Sequence, residues 1–220
     1  MIYFLKSTIG RKQLVAVAGL GLALFVFIHM AGNMLILFSP KAYNLYGHAL
    51  ITNPLIYFAE AGLVGIFILH AFLALFLTFK NWSSRSNKYA KNPEVKAKAS
   101  LSSRTMGFQG LVIFAFVILH LLTFKFGTHH EVVYDGQTVR DLHKLVLEVF
   151  AQPIYVVGYV FTLILMFGHL AHGFGSVFQS LGFSRVRYGS IIDGISFVYS
   201  LVVVGGFISQ PLYVYFIYQA

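Results

Sequence analysis

The stretch QLVAVAGLGLALFVFIHMAGNMLILFSP, which runs from Gln13 to Pro40, carries no charged residue. A helix of about 20 mostly apolar residues crosses the hydrocarbon core of a bilayer, so this stretch is long enough to span a membrane. Because unpaired backbone polar groups are very costly in lipid, a long continuous apolar run favours a helix over a barrel strand. The stretch therefore predicts the first of several membrane-spanning helices.

The rest of the chain has the same apolar character. Its 220 residues are 58% hydrophobic and 10% charged, whereas a typical soluble domain carries about 25% charged residues. The absence of cysteine excludes iron–sulfur clusters and thiolate metal sites in this chain. The predicted fold class is an all-α integral membrane protein with five transmembrane helices. We predict a single membrane domain over residues 1–220, with helices at about 13–39, 54–79, 105–127, 152–178 and 190–218.

The basic residues predict how the chain is oriented. Twelve of the 16 lysines and arginines fall on one side of the predicted spans and four on the other, and the positive side is normally cytoplasmic. We expect a multi-pass protein of the inner (cytoplasmic) membrane, with a cytoplasmic N-terminus and a periplasmic or external C-terminus. The connection from Asn81 to Arg104 is predicted to be basic and solvated. This asymmetry accounts for the net charge of +9, so we expect no nucleic acid among the partners.

The loop between the third and fourth spans predicts a short amphipathic helix on the outer membrane face. Thr138 and Asp141 have the spacing of a capping box. Apolar residues follow at helical spacing, namely Leu142, Leu145, Val146 and Val149.

The nine histidines fall into two groups by predicted depth. Four lie in outer loops and are expected to be solvated: His48, His129, His130 and His143. Ionisable residues inside a membrane are expensive and usually functional. The informative group lies inside the first four spans: His29, His70, His120, and the pair His169 and His172 in the fourth.

Counting residues from the basic boundary sorts these histidines into two levels. At about 1.5 Å per residue, His29 and His120 lie toward the outer half. His70 and His172 lie toward the inner half, and the levels differ by roughly 8 Å. Two imidazoles at one depth suit bis-histidine ligation of a haem, one from each side of the porphyrin. The first four spans are therefore predicted to form a haem-binding bundle.

The fourth span offers two candidate ligands on one face, because His169 and His172 are three residues apart. His172 matches the depth of His70 better. We therefore expect His169 beside the haem, reaching a propionate or a neighbouring helix.

Three other polar residues carry weaker signals. Glu60, near the outer end of the second span, is a candidate to accept protons from a quinol, or else a helix-start anion favoured by the dipole. Asn33 lies one turn beyond His29 and either ties helices together or touches a ligand. Asp193 is expected to be a helix-start residue.

Several motifs resemble the five-helix, dihaem cytochrome b membrane anchor of the succinate dehydrogenase and fumarate reductase family, over essentially the whole chain. They are Ser7-Thr-Ile-Gly-Arg11, His29-Met-Ala-Gly-Asn33, Tyr43-Asn-Leu-Tyr-Gly-His48 followed by Asn53-Pro-Leu, Glu60 ten residues before His70, and His172-Gly-Phe-Gly-Ser-Val-Phe-Gln-Ser-Leu-Gly182. The resemblance implies axial ligands from the first and third helices and from the second and fourth. It also implies a fourth-helix ligand that precedes glycine, which favours His172 over His169.

The resemblance further implies a complex of three polypeptides. A flavoprotein with FAD and an iron–sulfur subunit would dock on the inner face and interconvert succinate and fumarate. This chain, surrounded by membrane lipid, would relay electrons through two haems b between the clusters and a quinone, with menaquinone the expected type. The quinone would lie near the outer haem, where Glu60 and His48 are candidates for its pocket.

One departure and three alternatives limit that interpretation. Some family members carry a glutamate two residues before the fourth-helix ligand, but this chain has Leu170 there, so a glutamate proton path is not expected. A cytochrome b anchor of a hydrogenase or formate dehydrogenase would share the ligation. A proton-coupled transporter would use the histidines as relays and be colourless. A passive scaffold would leave histidines at two depths unexplained.

Overall fold

The computed structural model describes Tyr3, residues 7–83 and residues 101–218. Five of its helices are long and apolar enough to cross a membrane, namely Thr8–Leu37, Ile56–Ser83, Ser103–Lys125, Pro153–Ser180 and Arg185–Tyr218. The helical class and the number of spans predicted from the sequence are confirmed. Most of the predicted basic connection, residues 84–100, lies outside the described residues.

Seven helices and two strands make up the described chain. They are α1 (Thr8–Asn33), α2 (Pro40–Thr52), α3 (Ile56–Ser83), α4 (Leu101–His120), β1 (Glu131–Tyr134), β2 (Gln137–Arg140), α5 (Leu142–Phe150), α6 (Pro153–Ser180) and α7 (Arg185–Tyr213). Three spans end in a different helical turn: α1 in the 3₁₀ turn Met34–Leu37, α4 in the π turn Leu121–Lys125, and α7 in the π turn Val214–Tyr218. The spans are α1, α3, α4, α6 and α7.

Short polar side chains and proline start several of these helices. Ser7 caps α1 by accepting the N–H of Gly10 at 3.0 Å, and Ser39 caps α2, whose first residue is Pro40. Both follow the ordinary preference for serine at the N-cap and proline at the first helical position.

The spans pack around α6, which contacts α7, α1 and α4, while α3 packs against α1.

Contacts at the helix ends show that consecutive spans run in opposite directions. Lys80, near the end of α3, donates to Thr8 Oγ1 at the start of α1 at 3.2 Å. The guanidinium of Arg11 lies 4.3 Å over the ring of Phe76. We call this side of the bundle the basic end; it includes Arg11, Lys12, Lys80, Arg104, Arg185 and Arg187.

The opposite side is covered by α2, the β-hairpin and α5, and we call it the capped end. The hairpin pairs Glu131 with Arg140 and Tyr134 with Gln137. Its turn is Asp135-Gly136, both with positive φ, as a two-residue hairpin turn requires. This hairpin was not predicted from the sequence. It corrects the predicted capping box, because Thr138 lies in β2 and caps no helix. Asp141 alone caps α5, where it accepts the N–H of Lys144 at 3.0 Å.

The fully buried Asn44 joins the parts of the capped end. Its amide nitrogen donates to Asp141 Oδ1 at 2.8 Å and to the hydroxyl of Tyr134 at 3.2 Å, and its oxygen accepts the N–H of His143 at 2.9 Å. One side chain of α2 thus holds both the hairpin and the start of α5.

The amphipathic helix predicted in this loop exists as α5, but protein rather than lipid covers its apolar side. Leu145, Val146, Val149 and Phe150 are buried in one cluster with Ile36, Tyr43, Val156 and Val214. The same packing overturns the expectation that His143 is solvated, because its exposed fraction is 5%. His130 is also engaged, through Glu148 at 2.7 Å.

Candidate functional site

Two of the predicted ligand histidines meet near the capped end. The ring centroids of His29 on α1 and His120 on α4 are 5.8 Å apart, with an interplanar angle of 89°. Phe25 stacks on His29 from the preceding turn, at 5.4 Å between centroids. The structure therefore brings together the pair that the depth count assigned to one level.

His29 is held by a hydrogen-bonded chain of two further side chains. Asn33 donates to the backbone oxygen of His29 at 2.8 Å, and its amide nitrogen lies 3.4 Å from His29 Nδ1. The hydroxyl of Tyr43, from α2, donates to Asn33 Oδ1 at 2.9 Å. Asn33 thus both contacts a candidate ligand and ties α1 to α2. Burial raises the pKa of Tyr43 to about 12, so its hydroxyl stays a donor at physiological pH.

The end of α4 that carries His120 is fixed from the loop by Arg140. The guanidinium of Arg140 donates to the carbonyl oxygens of Phe124 at 2.9 Å and Lys125 at 3.3 Å. These carbonyls belong to the π turn that follows His120, and a helix end leaves such oxygens without partners. Burial lowers the pKa of Arg140, and the neighbouring Tyr43 opposes that shift. An arginine nevertheless remains charged at physiological pH.

A second level lies toward the basic end and is centred on His70 of α3. His70 Nδ1 lies 3.1 Å from the backbone oxygen of Val15 on α1. The ring rests against Gly19, where an added Cβ would come within 3.1 Å of His70 Cε1. A side chain at residue 19 would thus crowd the imidazole. Glycine at this position lets α3 deliver His70 directly onto the backbone of α1.

The two histidines of α6 have different surroundings. His169 lies against Gly110 of α4, where an added Cβ would be 3.6 Å from its Cε1, just as His70 lies against Gly19 of α1. The Nδ1 of His169 is buried without a hydrogen-bond partner. The Nε2 of His172 lies 3.4 Å from Ser176 Oγ, one turn further along α6. The structure therefore places His169 nearer the level of His70.

The spacing of the two levels repeats on three helices. Gly19 precedes His29 by ten residues on α1, and Gly110 precedes His120 by ten on α4. On α6, Tyr159, which contacts His120, precedes His169 by ten. Ten residues correspond to about 15 Å along a helix. The levels are therefore about twice as far apart as the boundary count suggested, because the basic residues used as boundaries do not lie at one depth: Lys80 lies opposite Thr8, four residues before Lys12.

Hydrogen bonding at the imidazoles decides which ring nitrogen can bind a metal. The oxygen of Val15 can only accept, so His70 must donate from Nδ1, which leaves the Nε2 lone pair free in the neutral ring. Metal-bound histidines ordinarily donate their other ring N–H to such an acceptor. His70 thus fits an axial haem ligand. His120 has the same opportunity, because its Nδ1 lies 3.2 Å from the hydroxyl of Tyr159.

The remaining predicted polar residues lie at the helix ends. Glu60, near the start of α3, forms an ion pair with Lys125, with both side chains about 40% exposed. His48 is half-buried on α2, and its Nε2 lies 2.9 Å from Gln137 Nε2. It is therefore a helical residue in contact with β2 and not a solvated loop residue. Asp193 is paired with Arg185 at 3.0 Å. It lies more than two turns inside α7, which corrects its assignment to the helix start.

A cavity of about 460 Å³ opens at the capped end between α4, α5 and α6. Leu119, Leu122 and Val149 give it apolar walls, and Thr123, Glu148, Gln152 and Tyr155 add polar groups. Its position on the helix that carries His120 makes it a candidate for an amphipathic ligand with a polar head and an apolar tail.

Several of these positioning residues were not predicted from the sequence, namely Val15, Gly19, Gly110, Arg140 and Tyr159. The two glycines could have been found by their spacing, since each lies ten residues before a membrane histidine. That spacing becomes meaningful only when the structure shows that the two levels are ten residues apart. Within the described part of the chain, no group of three or more metal-ligating side chains occurs; a bis-histidine haem needs two.

Comparisons with protein-family models, with curated proteins and with solved structures found no match to this chain.

Proposed function

We propose that this chain is the membrane anchor and electron-transfer subunit of a succinate:quinone oxidoreductase, either a succinate dehydrogenase or a quinol:fumarate reductase. In this role it relays electrons through two bis-histidine haems b between an iron–sulfur subunit and a membrane quinone. The observation that carries the proposal is the arrangement of histidines from four spans at two levels. His29 lies edge to face with His120 at one level. At the other level His70 lies against Gly19 of α1 and His169 against Gly110 of α4.

The chain's residues would hold one haem at each of the two levels in this proposal. At the capped level, His29 and His120 would hold one haem, and Asn33 and Tyr159 lie next to their rings. At the basic level, His70 would hold the second haem together with one histidine of α6. That histidine would be His172, which the resemblance favours, or His169, which lies nearer the level of His70. When bound, a haem b supplies reversible one-electron transfer between its ferric and ferrous states.

The partners follow from the proposed orientation. The basic end would face the cytoplasm, where the FAD-containing flavoprotein and the iron–sulfur subunit dock. The chain has no cysteine with which to hold clusters itself. The quinone would bind near the capped end, where the candidates are the cavity beside Tyr155 and the Glu60–Lys125 pair. A carboxylate at that interface can take up protons as a quinol is oxidised.

An absorption spectrum of the purified full chain tests the proposal. We expect a reduced-minus-oxidised spectrum of haem b, and two haems per chain in a pyridine haemochrome assay. A well-folded but colourless chain would contradict the proposal and favour a proton-coupled transporter. A coloured chain that purifies with hydrogenase or formate dehydrogenase subunits would keep the ligation and replace the partners.

A further inference from the structure

Tyr159 is the polar side chain from α6 that contacts His120 of α4. Its hydroxyl lies 3.2 Å from His120 Nδ1. Three aromatic rings surround the phenol nearly edge-on: Phe116, Phe150 and Phe124, at centroid distances of 4.7, 5.0 and 6.1 Å. A ring enclosed on these sides has little freedom to turn away. The hydroxyl is therefore held at the imidazole by packing as well as by the hydrogen bond.

The two levels support their histidines in chemically different ways. His70 donates to a backbone carbonyl, that of Val15, and no side-chain substitution removes that oxygen. The atom that lies next to His120 Nδ1 is instead the oxygen of a phenol, which can either accept or donate and is a weaker acceptor than an amide carbonyl. The electron-donating strength of a ligating imidazole rises with the strength of the acceptor at its other nitrogen. The support of His120 can therefore be changed by one side-chain substitution, whereas that of His70 cannot.

We infer that Tyr159 is a positioning residue for His120. It accepts the Nδ1–H, which keeps Nε2 free on the side of the ring that faces away from α6, and it sets how strongly the imidazole donates electrons. The role of Tyr159 toward a metal rests on the proposed function, whereas the tautomer that it imposes on His120 does not.

A redox titration of the purified full chain tests the effect on the metal. We expect Tyr159→Phe to retain both haems. One of the two haem reduction steps should shift to higher potential, because a weaker imidazole ligand stabilises the ferric state less. The other step stays in place. The matched control is Tyr213→Phe, the same change on α7 at the capped end, and we expect it to titrate like the wild type. Two unshifted steps in Tyr159→Phe, or equal shifts in both variants, would overturn the inference.

A second measurement tests the hydrogen bond without any haem. In the ¹⁵N-histidine-labelled full chain in lipid bilayers, solid-state NMR distinguishes protonated from unprotonated ring nitrogens, and His120→Gln identifies the signal. We expect the proton of His120 on Nδ1 in the wild type and a shift of that signal in Tyr159→Phe. A proton on Nε2 would overturn the inference. If the chain binds no haem, the proposed function fails, and this measurement still decides the role of Tyr159.

Discussion

The imidazole of His29 meets that of His120 edge to face, at 5.8 Å between ring centroids. The two residues lie 91 positions apart on helices that belong to different pairs in the bundle, since α3 packs on α1 and α4 on α6. Burying two polar rings side by side in a membrane span is costly unless each has a use or a partner. Their meeting is the clearest sign that this level of the bundle is built around imidazoles.

The choice between the two histidines of α6 is open to direct test. We expect His172→Ala to lose one haem and His169→Ala to keep both. Glycine follows His172, at residue 173, and only the methyl group of Met106 lies near it, at 3.8 Å from an added Cβ, so a flat macrocycle can approach the backbone there. The haem content of the two purified variants is the measurement. The reverse result would assign the ligand to His169, as its position nearer the level of His70 suggests.

Glu60 is expected to act in proton uptake beyond its ion pair with Lys125. Because both side chains are about 40% exposed, the pair contributes at most about 1 kcal/mol to stability. We expect Glu60→Gln to slow reduction of the haems by a menaquinol analogue at least tenfold, measured by stopped flow, with haem content unchanged. Lys125→Met breaks the same ion pair and serves as the control. Equal rates in the two variants would show that only the ion pair matters.

Asn44 is expected to be the most sensitive polar residue of the capped end. Replacing it with alanine removes its hydrogen bonds with Asp141, with Tyr134 and with the N–H of His143, although Asp141 still accepts the N–H of Lys144. Losing these bonds and leaving the buried N–H of His143 without its partner costs about 2–4 kcal/mol in all. Thermal unfolding of the chain in detergent should show the loss. Asn53→Ala removes an exposed hydrogen bond to Leu55 and should cost less than about 1 kcal/mol; similar losses in both variants would contradict the hub role of Asn44.

His143 is expected to make the capped end sensitive to acid. Burial lowers the pKa of His143 below its ordinary value of 6.5, and the nearby Asp141 partly opposes that shift. In the unfolded chain this histidine takes up a proton near pH 6.5, whereas the folded chain resists protonation. The free energy of unfolding therefore falls as the pH drops below 6.5, until the lower folded pKa is reached. His143→Phe, which keeps an aromatic ring against Tyr218, should flatten this dependence in pH-resolved thermal unfolding. If the free energy of unfolding depended on pH in His143→Phe as it does in the wild type, this role of His143 would be contradicted.

The spans were predictable from the sequence because their signal is local. A charge-free run such as Gln13 to Pro40 needs no knowledge of its neighbours to be recognised as a helix. The pairing of His29 with His120 also followed, since depth in a membrane is nearly linear in residue number. The helix starts were less certain, and α7 begins at Arg185 rather than near residue 190.

The capped end was predicted less well because it depends on contacts distant in sequence. The β-hairpin is stabilised by Asn44, Tyr134 and Lys41, whose partners lie about 90 residues away. The burial of His143 likewise arises from α2 and the turn Val214–Tyr218, which no local pattern reveals. Tyr159 was missed for the same reason, since one tyrosine among 13 is distinguished only by what its hydroxyl contacts.

The most direct test of two histidine levels is the haem content of double variants. If His29 and His120 bind the same haem, each single His→Ala variant loses one haem, and the His29→Ala/His120→Ala double variant still retains one. The His29→Ala/His70→Ala double variant, which removes one ligand from each level, should retain none. Pyridine haemochrome assays on the purified chains measure this. Loss of both haems in the first double variant, or one haem remaining in the second, would contradict the two-level arrangement.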